Sequence, residues 1–144
     1  MKNSMIVPLC GLIFSYCATA EAQTSVYVEA TPTGIQSSRL AYQLRESLGR
    51  STTLKLVDEE KDSAIQVHLS AMDTDQNSYL TAYSVAWTFT DIAYPAGFKL
   101  YNQSFVGICG SAKIAECADS LTAETDQTAV QLRAFIRQAL SKKQ

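Results

Sequence analysis

"AIQVHLSAMDTDQNSYLTAYSVAWTFT", Ala64 to Thr90, decides the fold. In its first part Ile65, Val67 and Leu69 alternate with Gln66, His68 and Ser70, the period of a strand with one buried face. Asp73 to Ser78 is dense in Asp, Asn and Ser, whose side chains bond nearby backbone and so favour turns. The period of two resumes from Tyr79 to Thr90, with Tyr79, Tyr83, Val85, Trp87 and Phe89 on one face and Ala82, Ser84, Ala86 and Thr88 on the other. Two alternating runs around a polar turn predict an antiparallel pair.

On the N-terminal side, "TTLKLV" (Thr52 to Val57) alternates too and is joined to Ala64 by a charged turn, "DEEKDS" (Asp58 to Ser63). Before it the period changes: Leu40, Ala41, Leu44 and Leu48 recur every three or four residues, an amphipathic helix whose start Thr33 or Ser37 can cap and whose end lies near Gly49. "SVYVEA" (Ser25 to Ala30) is a further strand, closed by Pro32 and Gly34. On the C-terminal side, "YPAG" (Tyr94 to Gly97) fits a type I turn, and a last strand is expected from about Phe98 to Ile108. The closing helix has its apolar stripe at Ala129, Leu132, Ile136 and Ala139/Leu140.

The order β-α-β-β-β-β-α predicts an α+β domain: a mixed, largely antiparallel sheet of about five strands with both helices packed on one face. The opposite face then carries Gln66, His68, Ser70, Ser84, Ala86 and Thr88, an open, polar, uncharged surface on which a partner can dock. The sheet edge is a second docking route, including one that forms a homodimer.

Residues 1–22 read as a signal peptide: a positive start at Lys2, an apolar run from Ile6 to Tyr16, and small residues permitting cleavage after Ala20 or Ala22. Residues 23–144 are then a single small domain destined for the periplasm or for secretion. No later segment is long and apolar enough to span a bilayer. Cys10 and Cys17 fall inside the leader, and neither follows the small residue that lipidation requires. This leaves Cys109 and Cys117 of "ICGSAKIAEC", an even pair that an oxidising compartment joins as a disulfide.

The remaining inventory excludes more than it supports. The single histidine, His68, is distant in sequence from both cysteines, which argues against zinc. The cysteine spacing is wider than the C-x-x-C of a redox pair. Asp73, Asp75 and Asn77 match the first three ligand positions of a calcium loop, but Ser78 stands where glycine is needed and Ser84 where a glutamate is needed. His68 has no nucleophile elbow to serve, and no phosphate-cradling glycine motif occurs. A net charge of −2 without a basic cluster gives no support for nucleic acid as a partner. No cofactor and no metal are expected.

The segments "SSRLAYQLRESL", "SAIQVHLSAMD", "YSVAWTFTD", "KLYNQSFVG" and "AVQLRAFIRQAL" together resemble, in order and character, the small Gram-negative periplasmic domains of the TolB N-terminal, CsgG and LpoB type. The chain departs from that group in having no helix between "TTLKLV" and "AIQVHLS" and no lipobox. The resemblance implies a module without catalytic activity that binds another envelope or secreted protein, or helps assemble an envelope complex. The alternative is an enzyme inhibitor that inserts the turn bearing Asp73, Asp75 and Asn77.

Overall fold

The computed structural model describes residues 23–74, 77, 79–90 and 99–142. Five strands and two long helices follow in the predicted order: β1 (Thr24–Thr33), α1 (Ile35–Gly49), β2 (Leu54–Leu56), β3 (Ile65–Asp73), β4 (Leu80–Thr90), β5 (Lys99–Gly110) and α2 (Ile114–Ser141). Short 3-10 turns at Glu60–Asp62 and Ser111–Lys113 precede β3 and α2. The expected turn at Tyr94 to Gly97 lies outside the described residues.

The sheet order is β2-β1-β3-β4-β5, with β1 parallel to both its neighbours and β3, β4 and β5 mutually antiparallel. The hairpin of Ala64–Thr90 forms as its alternation predicts, Val67 opposite Trp87 and Leu69 opposite Val85. One connection differs from expectation: β2 and β3 do not form a hairpin, because β1 lies between them. A link of eight residues makes this parallel crossover because β2 pairs with β1 only as far as Val26, where β3 begins with Ile65. Val57 donates its N–H to Val26 C=O (2.9 Å) and Ala64 donates to Ser25 C=O (3.0 Å), so the link leaves one side of β1 and re-enters on the other at the same level.

Pro32 does not end β1. On this strand the carbonyls of Ser25 and Val26 point to opposite neighbours, so the even residues face the β2 side. Beyond Val26 that side has no strand among the described residues, and Pro32, opposite Ala71, deletes no ladder bond.

Both helices cover the face bearing Val26, Val28, Ile65, Val67, Leu69, Val85 and Trp87, and α1 inserts Leu40, Leu44 and Leu48 into it. The helices are joined by Ser47 donating to Asp119 (2.7 Å). Neither Thr33 nor Ser37 caps α1 with its side chain. The cap comes instead from the far end of β3, where the Asp73 carboxylate accepts the N–H groups of Gln36 (3.1 Å) and Ser37 (2.8 Å). Gly34 at the N-cap has φ 145°, and a side chain there would collide with that carboxylate.

In α2 the buried stripe runs earlier than expected, through Ile114, Ala118, Leu121, Thr125 and Ala129. Leu132 packs at the core margin, while Ile136 and Leu140 are exposed, because the helix outruns the sheet beneath it. Polar residues enter the buried stripe through specific bonds: the Trp87 indole N–H donates to Thr125 Oγ1 (2.9 Å), which donates to Leu121 C=O (2.8 Å). Cys109 and Cys117 form the expected disulfide, Cα atoms 6.4 Å apart, tying the end of β5 to the first turns of α2.

Candidate functional site

The uncovered outer face is read in rows across the strands. From the register, one row is Tyr27–Gln66–Thr88–Tyr101, the next Glu29–His68–Ala86–Ser104, then Thr31–Ser70–Ser84–Val106, and last Thr33–Met72–Ala82–Ile108. All five candidates of the partner-binding face, Gln66, His68, Ser70, Ser84 and Thr88, therefore share one surface. The bulge at Trp87/Thr88 lets Tyr101 join the same face as Ser104 and Val106.

The character of this face changes along the strands. At the lower end it is polar and partly closed. Gln66 is buried to 1 % exposure rather than open, its Nε2 donating to Thr90 Oγ1 (3.0 Å) while its Oε1 has no partner among the described residues. The neighbouring Glu60 is held below the usual carboxylate range, chiefly by the hydrogen bond from Lys99 and by that ammonium's charge, against a smaller opposing effect of burial.

In the next row the Glu29 carboxylate accepts from His68 Nδ1 (2.7 Å), which leaves Nε2 facing Thr88 Oγ1 at 3.2 Å. The ring is thus fixed between β1 and β4 by partners on both sides. Thr31 and Ser70 hydroxyls meet at 3.0 Å one row further on. The surface expected to be uncharged therefore includes Glu29, because β1 inserts beside β3 and contributes its own outward residues.

At the upper end the face becomes apolar. Met72, Val106 and Ile108 are 56 %, 74 % and 69 % exposed, and Leu80 on the same face continues the patch. A broad, open trough of about 870 Å³ lies here between the hydroxyls of Thr31, Thr33, Ser70 and Ser84 and the side chains of Met72, Ala82, Val106 and Ile108. None of the described residues that line it is charged. The alternation of β3 and β4 placed Ser70 and Ser84 on this surface, but not Val106 and Ile108. Those two became visible only once β5 was in register; the signal present in the sequence was the run "SFVGIC", uncharged and apolar at Phe105, Val106, Ile108 and Cys109.

On the helix side, a smaller cleft of about 310 Å³ lies between β5 and α2, with Tyr83, Phe105, Cys117 and Leu121 among its walls. The Tyr83 and Phe105 rings stand 6.1 Å apart, and burial raises the Tyr83 phenol above its ordinary range.

The turn candidates separate. Asp73 ends β3 with its carboxylate on the N-terminus of α1 and on the Thr81 hydroxyl (3.1 Å). Asn77 is exposed in the turn, and Asp75 lies outside the described residues. Among the described residues no group of three or more His, Cys, Asp or Glu side chains could hold a metal ion, and no helix is long and apolar enough to cross a membrane.

No protein-family model matches the chain, and no curated protein matches it. Among solved structures it is similar to the PelC protein of Paraburkholderia phytofirmans, crystallised as a dodecamer (9 % identity, 73 % of this chain and 86 % of that one, TM-score 0.46). A minor lipoprotein of Acinetobacter baumannii is similar at 12 % identity over 74 % of this chain and 94 % of that one, TM-score 0.41. A hypothetical protein of Chlamydia trachomatis is similar at 9 % identity over 60 % and 70 %, TM-score 0.44. The second of these is named as a lipoprotein, and none of the three is named as a TolB, CsgG or LpoB domain.

Proposed function

We propose that the mature chain is a periplasmic interaction domain without catalytic activity, an accessory that docks another envelope protein on the upper half of its outer sheet face. The observation that carries this reading is the uncharged trough, in which exposed Met72, Val106 and Ile108 stand beside Thr31, Ser70 and Ser84. Apolar area of this kind is the usual mark of an interaction surface when it is contiguous. The occupant that fits is an uncharged protein segment with apolar side chains, since a charged group would lose its hydration there without gaining an ion pair. The leader-like sequence of residues 1–22 and the Cys109–Cys117 bridge fit an exported domain.

The test is capture from a Gram-negative envelope extract using the exported, oxidised domain and its variants. Met72→Glu and Ser84→Arg place charge in the trough and are expected to abolish capture of a specific protein, whereas Tyr42→Glu, on the exposed side of α1, is expected to leave it intact. Capture that ignores the trough variants would refute the docking surface. Turnover of an envelope substrate that His68→Ala abolishes would refute the non-catalytic reading.

A further inference from the structure

We infer that β5 pairs with β5 of a second copy of this chain, antiparallel about a two-fold axis at Gly107, joining two sheets into one. The inference rests on the reading of the outer face as a docking surface and names the partner of its open edge.

β5 has β4 as its only neighbour among the described strands, and its free side can be read bond by bond. Ser111 N–H donates to Tyr79 C=O (2.8 Å), which makes 79 and 111 a hydrogen-bonded pair in the β4–β5 ladder. In an antiparallel ladder such pairs recur every second residue. Cys109, Gly107, Phe105 and Gln103 therefore turn their N–H and C=O groups toward β4. Ser104, Val106, Ile108 and Gly110 turn theirs outward, to the free edge.

An exposed strand of this length with apolar side chains and one terminal charge, Lys99, is one that pairs unless something prevents it. The usual preventive devices are missing from its upper half: no lysine, no proline and no inward charge occurs between Ser104 and Gly110.

Several features choose a second copy over an unrelated strand. With the axis at Gly107, Val106 of one copy lies opposite Ile108 of the other, twice over, so that the two most exposed apolar side chains of the edge cover each other. Ser104 then lies opposite Gly110, and both pairings use outward-turned N–H and C=O groups, so the ladder bonds are made without any change in β4–β5. Gly107 meets its own copy at a non-hydrogen-bonded site, where opposed Cα atoms come closest, and the space of its missing side chain is occupied by the chain's own Tyr83 ring. On the helix side, half-exposed Phe105 comes beside the partner's Cys109, at the mouth of the cleft under α2. Charge does not oppose the contact: the overlapping segments are neutral, Lys99 lies outside the overlap, and the whole chain carries only −2. The two troughs then run together across the axis into one doubled surface.

The experiment uses the exported, disulfide-bonded domain alone, with no partner protein. Sedimentation velocity from micromolar to millimolar concentration is expected to show a monomer–dimer equilibrium. Amide hydrogen exchange is expected to slow with concentration at Ser104, Val106, Ile108 and Gly110, and not at the intervening residues that β4 already protects. Mixed isotope labelling is expected to give intermolecular contacts between Val106 and Ile108 methyl groups. Val106→Lys, which sets two ammonium groups near the axis without touching the core, is expected to weaken association by roughly tenfold or more. A monomer at every concentration would overturn the inference, as would a dimer whose exchange pattern and Val106→Lys response leave β5 unchanged. Because Met72 and Ser84 lie off this edge, loss of partner capture in their variants with the dimer intact would separate the docking reading from this one.

Discussion

Asp73→Ala is expected to destabilise the domain far more than an exposed aspartate should. The carboxylate sits at the end of β3, yet it accepts two backbone N–H groups at the start of α1, 36 and 37 residues earlier in the chain, together with the Thr81 hydroxyl. Losing a helix N-cap costs about 1–2 kcal/mol. Thr81 is fully buried, and leaving its hydroxyl without this acceptor adds about 1 kcal/mol. The sum is about 2–3 kcal/mol, which for a domain of this size lowers Tm by roughly 8–12 °C. Urea unfolding monitored by Trp87 fluorescence measures it, with Asp58→Ala, an exposed aspartate of the β2–β3 link, as the control. Asp73→Asn keeps an acceptor but turns an amide donor toward the α1 N–H groups, so it should fall between wild type and Asp73→Ala. Adding Thr81→Val to Asp73→Ala removes the orphaned donor and should recover about 1 kcal/mol relative to additivity. A loss within about 0.5 kcal/mol of the Asp58→Ala control would refute the cross-strand cap.

Other expectations follow from single contacts. Replacing Cys109 and Cys117 together by Ala should cost about 2–3 kcal/mol in oxidised protein, the chain-entropy value for so short a loop, and should make stability insensitive to reductant. Thr125→Val, which leaves the Trp87 indole N–H unpaired in the core, should cost about 1–3 kcal/mol and shift the Trp87 emission, read by equilibrium unfolding and fluorescence. Gln66→Met removes a buried carbonyl oxygen without a partner, so calorimetry should show unchanged or higher stability despite the lost bond to Thr90. Glu60 should titrate below the ordinary carboxylate range by NMR. Its contribution is present above the unfolded-state pKa and is lost as pH falls through the folded one, and Lys99→Gln should return the titration to the ordinary range.

The periodicity of two in β3 and β4 and of three to four in α1 was sufficient to place Ile65, Val67, Leu69, Val85, Trp87, Leu40, Leu44 and Leu48 in one core, because burial of alternate residues is a local signal. What the sequence could not carry was pairing between distant segments. The insertion of β1 between β2 and β3 depends on levels of register, and it brought Glu29 onto a face read as uncharged. The cap of α1 was sought among Thr33 and Ser37 because local rules look within a few residues, whereas the carboxylate arrives from the other end of the sheet. Pro32 was read as a terminator since its lost donor matters only on a side that holds a neighbour. Gln66 alternated correctly yet is buried, showing that an outward residue is not always an open one.

The exposure of β5 follows from how the helices are tethered. Ser47–Asp119 holds α2 against α1, whose own packing lies over β1, β2 and β3, so the helix layer is drawn toward that side of the sheet. The disulfide fixes the start of α2 at the upper end of β5, and from there the helix runs over Trp87 toward Thr24, where Arg133 donates to the Thr24 hydroxyl. α2 thus crosses β4 and touches β5 again where Gln103 donates to Thr128 (3.2 Å), leaving Phe105 between these contacts half exposed on the helix side and Val106 and Ile108 exposed on the other. A strand that is bare on its outer face, only partly covered on its helix face and open along one edge stays soluble when another strand takes that edge. If the tether sets this geometry, Asp119→Ala should let α2 settle over β5: Phe105 and the cleft beside it should become more protected in hydrogen exchange, and self-association should weaken with no substitution in β5 itself. Unchanged exchange at Phe105 in a folded Asp119→Ala protein would show that the disulfide and the bonds of Thr125, Thr128 and Arg133 position the helix without the Ser47 tether.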